Sequence, residues 1–308
     1  MTPRTSCPAC DGALGLWRAA RDFVRQQTFR LLRCAECGLV TVDPVPDERE
    51  LAAYYTDAFY GRPSLVSRMA LRLFYGRRAA VARRHHAQLK RLLDVGCGDG
   101  GFLAHMASGG VEVEGFEPSA AGAARARHQV GLVYDDLDAV TGTFDVITAW
   151  QVLEHVVEPR PFLRRLRNLL APGGVVVLSV PHIESLEGQL GGDAWFHLDV
   201  PRHLHHFSRA SLRQLVSTNG FDVIDVDTFS LEYGPFGLLQ TALNLLPIER
   251  NALYQWTKHE RALSSFSVST ALALVLGGAA AGPAALLASI AQAAVGRGGV
   301  VTVTARAR

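Results

Sequence analysis

The sequence lacks basic residues around its most glycine-rich segment. No lysine or arginine occurs between Arg91 and Arg125, a stretch that contains "DVGCGDGG" at residues 94–101. The glycines match the spacing G-x-G-x-x-G, which is typical of loops that bind the pyrophosphate of NAD or FAD. A pyrophosphate favours backbone N–H groups at a helix N-terminus with no carboxylate nearby, whereas Asp94 and Asp99 accompany this loop. The missing cations and the two acids therefore favour a cationic ligand over a dinucleotide.

Acidic residues are missing from residues 62–91, where nine basic residues occur. The whole chain has a formal net charge of only +2, so this basic character is local. A basic helix either presents a solvated face or contacts an acidic partner, and we favour the solvated face. A signal peptide is also missing, because the chain reaches a cysteine at position 7 through mostly polar residues. We therefore expect a cytoplasmic protein.

Cysteine is scarce, with five in 308 residues, but four of the five stand in C-x-x-C pairs. The paired residues are Cys7, Cys10, Cys34 and Cys37. Two such pairs at this spacing are typical of a tetrahedral zinc site with four thiolate ligands; redox pairs are the alternative. We predict one structural Zn²⁺ in a small ribbon over residues 1–45. The fifth cysteine, Cys97, lies in the glycine loop, where we expect it to serve as a small side chain.

Charged residues are absent from residues 262–296, a run of 35 residues. The run is longer than the roughly 20 residues of a transmembrane helix, but "GGAAAGP" interrupts it and leaves two halves too short to span a membrane singly. We predict a helical hairpin inside an apolar insertion over residues 233–296. Such an element can cover an active site, form a homodimer face or lie on a membrane surface. Packing against protein is the favoured interpretation.

From residue 91 onward, short apolar strands alternate with helices. This alternation predicts a parallel sheet covered by helices on both faces. Ligands of such sheets bind at the carboxyl ends of the strands. The glycine loop follows the first predicted strand, and Glu117 ends the second, where a carboxylate can accept hydrogen bonds from two ribose hydroxyls.

Four ordered motifs resemble those of a known enzyme family. They are "LLDVGCGDG", "VEGFEPS", "FDVITAWQVLEHV" and "LLAPGGVVVLSVP". Their order and spacing resemble the class I S-adenosylmethionine-dependent methyltransferases over about residues 90–230. The cysteine pairs and "DVPRHLHHFS" resemble a bacterial subgroup with an N-terminal zinc ribbon. The resemblance implies an α/β fold with a Rossmann-like seven-stranded sheet and helices on both faces, whose last strand, near 299–305, is antiparallel.

The resemblance also implies a division of the chain and a cofactor, S-adenosylmethionine. The ribbon would be followed by a helical linker or lid at 46–90. Residues 91–232 and 297–308 would bind the cofactor, with the apolar insertion between them. The residues expected at the cofactor are Asp94, Gly96, Cys97, Gly98, Glu117, Pro118, Asp136, Leu137, Trp150 and Gln151.

Within that set, the resemblance implies a different role for each part of the site. The first acid and the glycines of the loop would contact the methionine part of the cofactor, and Glu117 would hold the ribose. Asp136 with Leu137 would flank the adenine, although Asp136 can equally be an ordinary loop acid. Trp150 and Gln151 would line the cofactor or the substrate.

Methyl transfer requires alignment of the acceptor with the methyl group and, for a protonated acceptor, a base. Histidine suits that task near neutral pH. The candidate bases are His155, His203 and His206. His203 and His206 belong to a cluster with His197 and His205, four histidines within ten positions, and this cluster can instead bind metal or tie down its loop by hydrogen bonds. "QVLEHV" resembles the Glu-x-x-Glu-His metal motif of quinone-biosynthesis O-methyltransferases, but Gln151 replaces the first Glu and removes one anionic ligand. We therefore predict no catalytic metal.

The expected function is methylation of an oxygen or nitrogen in a small molecule or glycan, in natural-product or glycan biosynthesis. A nucleic-acid methyltransferase is the first alternative, because of the ribbon and the basic helix. The sequence "AWQVLEHV" speaks against it, since no Asn/Asp-Pro-Pro-Tyr motif follows the fourth strand. A non-catalytic cofactor-binding module is the second alternative, which the histidines near the expected site disfavour.

Overall fold

A computed structural model describes residues 3–52, 54, 65–86, 88–258 and 260–308 of the chain. The chain divides into two compact units. We call them the four-stranded unit and the seven-stranded unit, after their sheets. The four-stranded unit comprises Met1–Gly61, Pro181–Leu212 and Asp227–Val301. The seven-stranded unit comprises Arg62–Val180, Arg213–Val226 and Thr302–Arg308.

The elements are numbered in chain order within the described residues. The strands are β1 (Leu14–Arg21), β2 (Thr28–Cys34), β3 (Val40–Asp43), β4 (Arg91–Val95), β5 (Glu112–Phe116), β6 (Val133–Tyr134), β7 (Phe144–Trp150), β8 (Leu170–Pro181), β9 (His205–His206), β10 (Phe221–Asp227) and β11 (Val300–Ala307). The helices are α1 (Glu48–Ala52), α2 (Leu65–Arg84), α3 (Gly101–Ser108), α4 (Ala120–Val130), α5 (Pro159–Asn168), α6 (Leu186–Gly191), α7 (Arg209–Thr218), α8 (Tyr233–Asn244), α9 (Ala252–Thr257) and α10 (Val268–Ala294).

The seven-stranded sheet has the order β10-β11-β8-β7-β4-β5-β6. Strands β4 to β8 pair in parallel, because a helix or a long connection separates each strand from the next. Leu92 and Leu93 point to opposite faces of central strand β4, and both are fully buried. A strand buried on both faces reads as a continuous apolar run. The predicted Rossmann-like sheet with helices is thereby confirmed.

The last strand, β11, runs antiparallel to its neighbours. The backbone N–H of His182, just after β8, donates to the Gly299 carbonyl before β11 at 3.0 Å. The N–H of Arg308, after β11, donates to the carbonyl of Gly220, before β10, also at 3.0 Å. Each bond joins opposite ends of neighbouring strands, so the antiparallel direction expected for this strand is confirmed.

The four-stranded sheet is antiparallel and has the order β1-β2-β3-β9. Its β2 alternates buried Phe29 and Leu31 with the more exposed Arg30 and Arg33, the pattern of a strand with one apolar face. The buried side chains pack with Trp195, which is fully buried. Strand β9, which completes this sheet, is not predicted by the sequence pattern.

The basic segment forms α2, as the sequence predicts, but it packs within the seven-stranded unit. Ala79 and Ala82 are buried in its core, and the ring of Tyr75 lies 6.5 Å from that of Phe102. Arg84 donates to Asp225 at 2.8 Å. The favoured interpretation, a solvated basic face, therefore describes only one side of α2, because the other side packs against the core. Of the helical linker or lid predicted over residues 46–90, Glu48–Ala52 form α1 and Leu65–Arg84 form α2, and most residues between these helices lie outside the described part of the chain.

The predicted helical hairpin is wrong. Residues 268–294 form one helix, α10, whose halves Val268–Gly277 and Ala281–Ala294 meet at 61°. Pro283 lies inside the helix; it lacks an N–H and its ring clashes with a carbonyl one turn earlier, which bends a helix. In the described part of the chain, no single helix is long and apolar enough to cross a membrane. The two halves of α10 together meet that criterion by length and composition only.

Candidate functional site

The glycine loop begins directly after β4 and depends on glycine at two positions. Gly96 and Gly98 have φ angles of +73° and +59°, which side-chain-bearing residues rarely adopt. A Cβ at Gly96 would collide with the side chain of Val152. A Cβ at Gly98 would meet no atom within 4 Å. The loop is therefore packed on one side and open above Gly98, which leaves room for a ligand close to the backbone.

Asp94 lies at the end of β4 and is almost completely buried, with 2% of its surface exposed. It faces Thr148 on the neighbouring strand β7, and the Thr148 hydroxyl donates to its carboxylate at 2.5 Å. Burial raises the pKa of Asp94 to about 7, although the hydrogen bond from Thr148 and the charge of Arg78 oppose this shift. A cation bound nearby would favour the ionised form.

Glu117 follows β5 and points toward the glycine loop. One of its carboxylate oxygens accepts the Gly98 N–H at 2.8 Å, and the other accepts the Ser119 N–H at 2.9 Å. A carboxylate oxygen has two lone pairs, so an oxygen that accepts an N–H can also accept a hydroxyl. The two backbone bonds hold the carboxylate in one orientation beside the open side of Gly98.

Trp150 and Gln151 stand at the end of β7, the strand beside β4. The Trp150 ring packs edge-on against Phe102, with centroids 6.0 Å apart. Gln151 adopts a positive φ of 57°. Among the residues that the structure describes, Trp150 Nε1 and Gln151 Nε2 are buried atoms without a hydrogen-bond partner. An unsatisfied buried donor costs about 1–3 kcal/mol, so we expect a ligand or water to accept from these groups.

Arg78 also lies at this site, although the sequence motifs of the site do not predict it. It comes from α2, and its guanidinium carbon lies 5.3 Å from the centre of the Trp150 ring. Its charge also acts on Asp94. The lack of cations near the glycine loop could have indicated such a residue, because a ligand with a carboxylate would need a cation from elsewhere in the chain. The basic segment before β4 was the nearest source.

Comparison with known proteins assigns the family. A family profile described as a methyltransferase domain matches residues 62–226, which is more than half of the chain. The chain belongs to this methyltransferase family. Family membership supports S-adenosylmethionine as the cofactor. The open glycine loop, the oriented Glu117 and the unpaired donors of Trp150 and Gln151 fit such a group.

Two curated relatives in this family are named ubiquinone biosynthesis O-methyltransferases. The protein of Cereibacter sphaeroides is 33% identical over 151 residues, 44% of this chain and 61% of that protein. The protein of Pseudomonas aeruginosa is 32% identical over 164 residues, 47% of this chain and 69% of that protein. The chain thus spans about three fifths of the length of the first relative. A phosphoethanolamine N-methyltransferase structure from Haemonchus contortus shares the fold, with a TM-score of 0.52, 18% identity, and coverage of 96% and 68% of the two chains.

The other residues expected at the methyltransferase cofactor have structural contacts of their own. Asp136 is exposed and accepts the N–H of Asp138 at 2.9 Å, which caps a short 3₁₀ turn beginning at Leu137. Pro118 lies between Glu117 and Ser119 and belongs to the same turn. Cys97 is buried, and burial raises the pKa of its thiol, so it remains a neutral, small side chain. Contacts of these residues with the cofactor remain predictions.

The three candidate bases belong to different units. His155 lies in a 3₁₀ turn after β7, half-buried, in the seven-stranded unit with the glycine loop. His203 and His206 belong to the four-stranded unit. His206 lies on β9 and donates from Nε2 to the Leu198 carbonyl at 2.7 Å, and burial lowers its pKa to about 4. His203 is buried and donates from Nδ1 to the carbonyl of His197 at 2.8 Å.

The four paired cysteines of this methyltransferase come together in the four-stranded unit. Their sulfur atoms all lie within 4.8 Å of one another; Cys7 and Cys37 are 3.6 Å apart, and Cys10 and Cys34 are 3.5 Å apart. Tetrahedral Zn–S bonds of about 2.3 Å place sulfurs about 3.8 Å apart. The hydrogen bond from Cys37 lowers the pKa of Cys7 to about 5, whereas the same bond raises the pKa of Cys37, and burial raises the pKa of Cys10 to about 11. Zinc binds thiolates, so a readily ionised thiol fits a zinc ligand.

Proposed function

We propose that this protein transfers the methyl group of S-adenosylmethionine to an oxygen or nitrogen of a small molecule or glycan. The observation that carries the proposal is the open side of Gly98, beside the oriented carboxylate of Glu117. At the end of the neighbouring strand, Trp150 and Gln151 add buried N–H donors without a hydrogen-bond partner among the described residues. Family membership supports the proposal. The names of the curated relatives also support an oxygen of a small molecule as acceptor.

When bound, the cofactor supplies an electrophilic methyl group on a sulfonium, which leaves as a neutral thioether. Glu117 would accept hydrogen bonds from the ribose hydroxyls. Asp94 would face the positive charge, and Arg78 would bind the cofactor carboxylate, because it is the cation that α2 brings to the loop. The N–H groups of Trp150 and Gln151 would orient the cofactor or acceptor. Alignment by these groups is the main contribution that methyl transfer requires.

We expect calorimetric titration at pH 7 to show binding of S-adenosylmethionine and none of NAD. Because burial raises the pKa of Asp94 to about 7, about half of the free protein carries the ionised carboxylate at that pH, and at pH 5.5 only a few per cent does. The cationic cofactor should bind the ionised form, so the affinity should be about tenfold lower at pH 5.5 than at pH 7. The Asp94→Asn variant should lose this pH dependence. Binding of NAD without S-adenosylmethionine would overturn the proposed function.

The stability of the ligand-free protein should change with pH in the opposite direction to the cofactor affinity. An acid whose folded-state pKa is raised binds more protons in the folded state than in the unfolded state. Ionisation of Asp94 therefore lowers the free energy of unfolding as the pH rises from about 4 toward 7. Bound S-adenosylmethionine should remove this loss, because its positive charge favours the ionised carboxylate. Thermal unfolding with and without the cofactor measures the difference.

We propose His155 as the base when the acceptor is a hydroxyl or a protonated amine. It follows β7 in the unit that contains the glycine loop and is only half-buried. A base typically contributes about 10²–10⁴-fold, so His155→Ala should lower kcat by that order and leave cofactor affinity unchanged. Release of S-adenosylhomocysteine with a reactive acceptor is the measurement.

Two histidine variants calibrate this result. His128→Ala, on the exposed face of α4, should leave kcat unchanged. His206→Ala should instead lower the melting temperature, since it removes a buried hydrogen bond. A normal kcat in His155→Ala would contradict the assignment. If the His203 and His206 variants also kept normal turnover, alignment alone would carry the reaction.

We further propose that Cys7, Cys10, Cys34 and Cys37 hold one structural zinc ion. Their sulfur–sulfur distances support it. The backbone supports it too: the Ala9 N–H donates to the Cys7 sulfur at 3.4 Å, and Gly38 after the second pair has a φ of +75°. Four cysteine ligands leave no open position for substrate, so the ion would stabilise the fold of the four-stranded unit and take no part in methyl transfer.

A further inference from the structure

Helix α10 buries most of its polar residues and leaves many of its large apolar residues exposed. Three of its four polar residues, Thr270, Ser289 and Gln292, have 0%, 4% and 8% of their surface exposed, and the fourth, Ser269, is exposed. Leu276 and Leu287 have 65% and 68% exposed. A surface helix normally buries its apolar stripe and exposes its polar one. The exposed face of α10 therefore fits an apolar environment better than water.

The buried polar face has partners within the four-stranded unit. The Thr270 hydroxyl accepts the Glu249 N–H at 3.3 Å and the Ser267 hydroxyl at 2.8 Å. The Ser289 hydroxyl fills the space that a side chain at Gly234 would occupy. The orientation of α10 is therefore set by hydrogen bonds and close packing on its inner face. Its apolar face is directed outward by the same contacts.

The exposed apolar residues recur at helical spacing within each half of α10. They are Val268, Leu272, Val275 and Leu276 in the first half and Leu287 and Ile290 in the second. Positions i, i+4, i+7 and i+8 share one face of a helix. We call these exposed residues the α10 stripe. Exposed apolar residues that are continuous along a helix mark an interaction surface, whereas scattered ones need no explanation.

The composition of α10 favours a lipid surface over a protein as the partner of its exposed face. Protein interfaces depend on a few large anchors, chiefly tryptophan, tyrosine and arginine, and residues 268–294 contain none of them. The whole run 262–296 has no charge. At the start of the run, Arg261 pairs with Glu249, and Lys258, which is exposed, lies three residues earlier with Glu260 between them. Arg297 follows the run directly, and its guanidinium donates to the neutral side chain of Gln189. An apolar stripe between two cations complements acyl chains between anionic headgroups.

We propose that the α10 stripe docks this protein on the surface of a bilayer that contains anionic lipid. Neither half of α10 approaches the roughly 20 residues needed to cross a membrane. The 61° bend between the halves lets the helix enter one leaflet without crossing it. The exposed leucines would lie among the upper acyl chains, while Lys258 and Arg297 would meet lipid phosphates. This inference is independent of the proposed function.

The test is flotation of the full-length protein with vesicles of phosphatidylcholine, with and without phosphatidylglycerol. We expect the protein to float with vesicles and to bind more of those that contain phosphatidylglycerol. The double variant Leu272→Gln, Leu276→Gln, which adds no charge, should lower the vesicle partition coefficient by about tenfold or more, because the two leucines no longer bury their exposed surface among acyl chains. The matched control is Leu16→Gln on β1, a leucine that is 69% exposed outside α10; it should bind like the unaltered protein.

Circular dichroism and gel filtration of each variant establish that folding is retained. Failure to float with either kind of vesicle would overturn the proposal, and so would equal loss in the control and the double variant. Equal binding to both kinds of vesicle would overturn the role of the two cations. A second copy of the chain is the competing occupant. If light scattering showed a dimer for the unaltered protein and a monomer for the double variant, and the protein did not bind vesicles, the stripe would be a dimer interface instead.

Discussion

The Glu117→Gln variant is expected to bind S-adenosylmethionine about 100-fold more weakly than the unaltered protein. The carboxylate accepts two backbone N–H groups and would accept the ribose hydroxyls. Hydrogen bonds to a charged group contribute about 1.5–3 kcal/mol each, and 1.4 kcal/mol corresponds to a factor of about ten. The amide of glutamine has one acceptor oxygen, so its nitrogen would face an N–H or a hydroxyl without accepting. Isothermal titration calorimetry measures the change.

The matched control for Glu117 lies at the start of the strand that Glu117 follows. Glu112 begins β5, and its side chain is 79% exposed and 3.6 Å from Arg91. Glu112→Gln should leave cofactor affinity unchanged, since exposed ion pairs contribute little. Thermal unfolding of both variants separates lost binding from lost folding. Unaltered affinity in a well-folded Glu117→Gln protein would contradict the assigned ribose contact and weaken the cofactor assignment.

The double variant Cys34→Ser, Cys37→Ser is expected to lose its zinc and much of the stability of the four-stranded unit. These residues supply two of the four clustered sulfurs, one at the end of β2 and one in the turn before β3. A structural zinc ion contributes about 10–16 kcal/mol of apparent binding free energy in small zinc domains, which exceeds the net stability of many domains. Elemental analysis should find one zinc per chain before substitution and none after it.

Cys97→Ala is the cysteine control for this experiment. Its side chain is buried beside the glycine loop in the seven-stranded unit, apart from the cluster. The variant should therefore retain one zinc per chain. Freshly purified protein without zinc would contradict the proposed site. So would a double variant with the melting temperature of the unaltered protein.

The sequence alone predicted the local parts of the candidate site. The glycine loop, Asp94 and Glu117 lie at strand ends, where an apolar run stops and a turn begins. The register of a strand decides which residue ends it, and that register follows from the apolar pattern. The cysteine pairs are equally local, since a C-x-x-C turn brings its two thiols together within four residues. For these features the chain itself sets the geometry.

Contacts between distant segments were beyond sequence analysis. Thr148 meets Asp94 because β7 pairs with β4 in one register, and Arg78 reaches Trp150 because α2 packs in the seven-stranded unit. The hairpin prediction failed for a related reason. Proline and glycine show that a helix is weakened, but packing decides whether it ends or bends.

By itself, the sequence determined the order of strands and helices along the chain, the glycine loop and the two cysteine pairs, because these follow from local patterns of apolar, small and turn-forming residues. Only the tertiary structure decided that His206 completes a four-stranded sheet and that α10 turns its polar face inward. The strand of His206 is two residues long, too short to show a pattern. The face of α10 that points outward depends on partners of its inner face, such as Gly234 and Glu249. Both residues precede α10 in the sequence and lie outside the helix. Burial is a property of the assembled fold, so a helix with both polar and apolar residues does not reveal which face is covered.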